Sequence, residues 1–431
     1  MSRSGKWVAF AIFAFAAVSV AMAGGKQEPA MQKPVSIQFA ISPREVGKVI
    51  PDYISGFEKE NPNIKVDWLQ VPGVPDEQHT LYVTNMASQA DKPDVLAVDV
   101  IWPGEFIANG WAAPINDSFS SSELSQYLPG MMNSVTVDGK AYGVPLYTNA
   151  IHLFYRKDLL DKYGLSVPKT WEELASTAKE IVQKENNPDL VGYISMWAQI
   201  EGLFMNYLQF FWGAGGHFFD NAGKASIDTP AGVKALKTMV GFVKDGLAPQ
   251  SIITYKPNDA MALFRQGRAV FMVVQDFVWP MLNAADSPVN GKVGMTRVPY
   301  FAGHPDASTV CMGGWILIVN PYSTHKAEAA RFIKYITSEK AGLEMAVQTG
   351  SMPARNGMDA NAQLLQQYPI AKQLYADFAV GDVRPSAQAG ARYPELSHEM
   401  QLEIHSALAG EKTPEQALAD AQKNVTKILG K

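Results

Sequence analysis

Cysteine is almost absent: the 431-residue chain has one, Cys311. An internal disulfide is therefore excluded, and a buried apolar core has to hold the fold. With 47% hydrophobic residues at this length, that core is available. Cys311 sits in an apolar stretch and reads as a small buried hydrophobe, not a catalytic thiol. No basic block is present and the net charge is -5, with both signs mixed along the chain, which argues against nucleic acid as a partner. After residue 23 no apolar run approaches the ~20 residues of a membrane span. Catalytic motifs are missing as well. There is no GxSxG elbow, HExxH helix, P-loop or EF-hand loop. The seven histidines lack metal-ligand spacing, so no metal or cofactor is expected.

The amino terminus has the anatomy of a secretory signal. Arg3 and Lys6 precede an apolar run from Trp7 to Ala23, which closes on Ala21, Met22 and Ala23. Cleavage after Ala23 is expected, followed by a polar spacer over 24–34. No cysteine stands at the junction to take a lipid, so the expectation is a soluble periplasmic monomer. An uncleaved anchor is the alternative.

Strand and helix periodicities then alternate. Val35–Phe39, Ile64–Trp68 and Asp94–Val98 read as strands, with helices from Val46 to Phe57 and from Gln78 to Ala90 between them. The pattern resumes with strands at Ile151–Tyr155, Val191–Ser195, Ala269–Val274 and Trp315–Val319, and a helix over Trp171–Lys184. This order predicts α/β architecture with doubly wound parallel sheets, and two lobes accommodate the units better than one. No flexible linker separates two halves. Extended, proline-associated segments at Pro145–Ile151, Arg297–Phe301 and Gly350–Arg355 are the expected crossings. One lobe is then 35–148 with 300–350, and the other 149–299 with 351–431.

Aromatic residues gather where strands end. Asp94–Trp111 runs from a buried strand into a loop with Asp99 and Trp102, then to Glu105 and Trp111. Gln275–Pro280 carries Trp279, and Cys311–Trp315 sets Gly313 and Gly314 beside an indole, where backbone can approach a ligand closely. Such loops at the carboxyl edge of an open sheet are ligand positions. A core role for these tryptophans is the competing reading, and it is preferred for Trp171 and for Phe210–Trp212. Ring faces attract the C–H faces of sugars, while carboxylates and arginine satisfy the hydroxyls. Glycosidases share that inventory, but nothing in the sequence sets Asp99 and Glu105 across a glycosidic bond.

Phe57–Val66, Asp94–Trp111, Tyr142–Leu159, Pro168–Leu174, Cys311–Trp315 and Ala329–Ile333 together resemble the extracellular solute-binding proteins of ABC transporters, and within them the trehalose/maltose-binding branch. The resemblance spans nearly the whole mature chain. It implies a periplasmic-binding-protein fold with a three-segment hinge, closing on a disaccharide and delivering it to membrane permease subunits. Carried over by motif, Glu45 and Asp99 would accept sugar hydroxyls and Trp102, Trp279 and Gly313–Gly314–Trp315 would line the sugar. Arg384 would donate from the second lobe, with Tyr147 and Asn149 at the first crossing. An acid is common in this branch where Asn149 stands, and its arginine after the second strand has only Gln78 and His79 nearby. Glycerol phosphate and polyamines are the other ligand classes such a protein could take.

Overall fold

The computed structural model describes residues 34–430 other than 74, 308 and 309, together with all their side chains except those of Glu45 and Asp76. The expected leader, and the spacer up to residue 33, lie outside the described residues. No described helix is long and apolar enough to cross a membrane.

Ten strands position the site: β1 (Val35–Ile41), β2 (Ile64–Gln70), β3 (Val95–Asp99), β4 (Gly143–Arg156), β5 (Val191–Ser195), β6 (Ala269–Gln275), β7 (Val293–Thr296), β8 (Cys311–Val319), and the two-residue β9 (Met352–Pro353) and β10 (Asp382–Val383). Their order is β2-β1-β3-β8-β4-β6-β5, with β7 and β9 also on β4 and β10 on β8. The expectation of parallel sheets is corrected here. β1 pairs in parallel with β2 and β3, but β8 runs antiparallel to both β3 and β4, and β4 antiparallel to β6 and β7. The sheets are mixed because β4 and β8 belong to chain segments entering from opposite directions.

β4 is the strand that divides the molecule. Its residues up to Ala150 pair with β8, and from Ile151 onward it pairs with β6 and β7. Both faces along it are covered, so its residues are almost continuously buried. One core collects Ile37, Phe39, Val95–Val98, Ile316–Ile318 and Phe332; another collects Trp171, Tyr193, Phe210, Met239 and Ile404. These are the two lobes of a mixed α/β periplasmic-binding-protein fold.

Local chemistry sets the helix bounds. Thr170 accepts from the Glu173 amide while the Glu173 carboxylate accepts from the Thr170 amide, a reciprocal cap that opens Trp171–Glu185. Trp171 then stacks on Phe210 at 3.7 Å between ring centroids, inside the second core. Helix Glu201–Gly213 is buried on nearly every face, which is why it has little amphipathic period.

The second and third crossings differ from the sequence expectation. The first lies at Ala150/Ile151 on β4. Val298 and Phe301 still belong to the second core while Val310 belongs to the first, so the second crossing lies within 302–310, after Arg297–Phe301. Gly350–Arg355 is not a crossing: Met352 and Pro353 pair with Thr148 and Tyr147 in the first sheet. Met352 to Phe378 all pack with the first core, and the chain passes to the second only between Val383 and Ala389. The assignment of 351–431 wholly to the second lobe is corrected accordingly. Extended proline-flanked backbone marks a sheet edge strand as readily as a crossing.

Candidate functional site

Between the lobes lies a cavity of about 750 Å³, within the ~300–1,000 Å³ typical of small-molecule sites. Strand register assembles its first wall. Trp315 on β8 is opposite Asp99 on β3 and Tyr147 on β4, and two residues along Gly313 is opposite Asn149. A single row across three strands therefore brings together residues separated by more than 200 positions in sequence. Gly314 makes the row possible: its φ is 141°, and a Cβ there would stand 2.3 Å from the Tyr147 carbonyl oxygen.

Asp99 does not cap the following helix. Its Oδ1 accepts from the Ile101 amide at 3.2 Å and from Arg384 Nη2 at 3.1 Å. Its other oxygen has no partner among the described residues. Burial pushes the Asp99 carboxyl up and Arg384 pulls it back, leaving it above the ordinary carboxylate value. Trp102 begins helix Pro103–Ala108 and meets Trp315 edge-on, with centroids 5.7 Å apart at 86°. His79 leans on Trp102 and its Nε2 is hydrogen-bonded to the Glu105 carboxylate. Asn149 also lines the cavity, and its side-chain amide has no described partner.

Arg384 follows β10, at the third crossing, and is 3% exposed. It donates through Nη2 to Asp99 of the first lobe and through Nη1 to Glu201 of the second, both at 3.1 Å. Its Nε is buried without an acceptor among the described residues. Burial works against its charge, but the two carboxylates outweigh that and keep it protonated. Glu201, at the start of helix Glu201–Gly213, also accepts from Tyr393, Ser397 and Gln401. Its lone pairs are therefore taken. Glu201, Gln401 and Lys256 on the second wall had not been singled out from sequence. A carboxylate opening an apolar helix just before Gly202 is the one signal that could have found Glu201.

Of the expected site residues, Asp99, Trp102, Asn149, Gly313, Gly314, Trp315 and Arg384 line this cavity together. Tyr147 is buried behind Trp315 and lines a small neighbouring recess. Trp279 is outside the lining. It is half-buried against hydrophobic side chains, and Phe277, two residues earlier, faces the cavity instead. The short helical turn after β6 directs alternate residues away from each other. Glu45 lies in helix Pro43–Val46 and its side chain is outside those described.

Residues 40–343 match the family model for bacterial extracellular solute-binding proteins. The chain belongs to that family. Its function is to bind a solute, and it is not an enzyme. A probable ABC transporter-binding protein of Deinococcus radiodurans is 30% identical over 370 residues, covering 85% of this chain and 87% of the relative. Maltose-bound T. maritima MalE3 superposes with a TM-score of 0.83 at 34% identity, over 91% of this chain and 99% of the other. A solute-binding protein of Thermotoga lettingae bound to α-D-tagatose gives 0.79 at 27%, covering 93% and 100%. The solute-binding protein has a cleft between two lobes, lined by Trp102, Trp315, Asp99 and Asn149.

Proposed function

We propose that this solute-binding protein takes a neutral carbohydrate, best an α-linked disaccharide of the maltose or trehalose type, and passes it to an ABC importer by lobe closure. The supporting observation is the edge-to-face Trp102–Trp315 pair beside an Asp99 oxygen that has no described partner. The rings suit the C–H face of a pyranose, and the carboxylate oxygen accepts from its hydroxyls. Arg384, the deep cation, is already held by two carboxylates, which disfavours glycerol phosphate. A polyamine would want more acids than this cleft has, where Asp99 and Glu201 stand against Arg44, Lys256 and Arg384. A linear polyol would use the same acceptors but offers no ring face. A ligand touching both walls favours the closed state by its differential affinity, which is what a permease would sense. The leader places the protein in the periplasm after cleavage behind Ala23, and a mature chain still beginning at Met1 on amino-terminal sequencing would refute that.

Thermal unfolding with maltose, trehalose, mannitol, glycerol phosphate and spermidine tests the ligand class. A disaccharide at 100-fold over its Kd should add about 2.7 kcal/mol of stability. Stabilisation by glycerol phosphate or spermidine, with none by either disaccharide, would overturn the reading.

A further inference from the structure

Where the three crossings converge, the protein buries a chain of charged groups that the ligand cleft does not use. His152 lies on β4 two residues beyond Ala150 and is fully buried. Its Nε2 is 3.2 Å from Asp377, the penultimate residue of helix Ala371–Phe378, which packs with the first core just before the third crossing. Its Nδ1 is 3.2 Å from the Ala150 carbonyl and 3.6 Å from Asp276, which follows β6 in the second lobe. Asp276 in turn accepts from the Ala150 amide at 2.9 Å. Arg297, just ahead of the second crossing, donates to Asp377 through Nε at 3.0 Å and Nη2 at 2.8 Å. Each crossing thus contributes a member, and the His152–Asp377 and Arg297–Asp377 contacts join the two lobes.

We propose that this cluster is a positioning device for lobe closure, in which one proton held by Asp276 beside His152 keeps the three crossings together. Charge counting requires that proton. With both carboxylates ionised, Arg297 supplies a single compensating charge, and a neutral cluster needs one proton more. Asp276 is placed to carry it, since its Oδ1 is buried with no hydrogen-bond partner among the described residues. An ionised oxygen left unpaired in that position is costly. The groups facing Asp276 are consistent with this. Its carboxyl is pushed up to about 7, by burial first and by Asp377 to a smaller extent, against His152 and the Ala150 amide, which lower it. Asp377 stays below the ordinary carboxylate value, because its bonds to His152, Gln373 and Arg297 outweigh its burial. Tyr375, on the same helix, is held well above its ordinary value by burial and remains neutral.

The sign follows from linkage. Asp276 is raised in the folded arrangement, so the arrangement is favoured at low pH and loses that support as pH rises through neutrality. Above that point one uncompensated charge is sealed between the lobes, and opening the crossings to water relieves it. The inference rests on the two-lobe closure of the proposed function but not on the sugar.

Inter-lobe distance in the ligand-free protein therefore provides the test. Dyes on cysteines placed at Lys59 and Lys244, both exposed, report the distance by energy transfer from about pH 6 to about pH 9, the range around neutrality. The wild-type distance should lengthen with rising pH, while Asp276→Asn, which keeps the shape but cannot ionise, should be flat. Arg297→Gln removes the compensating cation and should move the transition upward by about one pH unit or more. Arg297 is 39% exposed, so this variant still decides the matter if Asp276→Asn does not fold. A wild-type distance unchanged across the range, an Asp276→Asn response matching wild type, or an unmoved Arg297→Gln midpoint would each overturn the proposal. Failure to bind maltose would leave these readouts unaffected.

Discussion

Replacing Arg384 by methionine is the most demanding test of the site as described. The side chain is 3% exposed and joins Asp99 to Glu201, whose own side chains are 18% and 27% exposed. Methionine fills much of the volume but leaves two facing carboxylates with no cation between them. Removing one partner of a buried ionic pair costs about 3–5 kcal/mol. The partial exposure of both acids lets water offset some of this, so the expected loss at about pH 7.5 is near the lower end, ~3 kcal/mol. The pH dependence gives a second, independent mark. Asp99 is already raised by burial, and Arg384 is the strongest influence holding it down. Without the arginine its folded pKa rises further above the unfolded value. For an acid raised in this way, the penalty is present above the folded pKa and disappears as pH falls through it. Urea denaturation at about pH 7.5 and about pH 5 should therefore show the variant recovering part of its deficit at the acid pH. Asp99→Asn leaves Arg384 its bond to Glu201 and should cost only ~1.5 kcal/mol, the scale of one charge-assisted hydrogen bond. The double variant should cost less than the sum of the two. A variant within about 1 kcal/mol of wild type at both pH values, or a deficit that does not shrink in acid, would refute this account of Arg384.

Two tryptophans should separate stability from binding. Trp171→Ala should remove about 3–5 kcal/mol from the unfolding free energy and leave maltose affinity unchanged, since Trp171 is sealed against Phe210. Trp315→Ala should weaken maltose binding tenfold or more, about 1.4 kcal/mol, by calorimetry; equal affinities would remove Trp315 from the site. Gly314→Ala should destabilise by more than ~1 kcal/mol, because its Cβ would collide with the Tyr147 carbonyl. It should also reduce maltose affinity, since β8 can yield only by moving Trp315 away from Asp99, and a variant as stable as wild type would count against the register argument.

Much of the architecture was legible because period and capping are local. Val35–Phe39 alternates apolar with polar residues, and Thr170 with Glu173 marks a helix start whose next residue faces the core. What was hidden depends on partners far away in sequence. The Ile151–Tyr155 strand was visible, but nothing local reveals that it extends back to Gly143 and changes sheets at Ala150. The start of β8 at Cys311 was masked by its glycines, which suggest a loop until Gly314 is seen to pass the Tyr147 carbonyl. Glu201 opens a helix with no polar face, so periodicity gave no reason to look there. Trp279 and Phe277 show the limit for sites: aromatic loops can be located from sequence, but the ring that enters the cleft is set by one turn of 3₁₀ backbone.

Arg384 connects the site to the mechanics of the fold. It stands on the last crossing, so any rotation of the lobes about the crossings changes its distances to Asp99 and Glu201 together. In the proposed reading, a ligand hydroxyl can donate to the Asp99 oxygen that has no partner among the described residues. That contact adds to the existing ion pairs instead of replacing them. A phosphate would have to compete with two carboxylates for the guanidinium and would bring more negative charge against them. The same three charges therefore align the lobes and favour neutral, hydroxyl-rich ligands, and neither task requires the cleft to carry a net charge of its own.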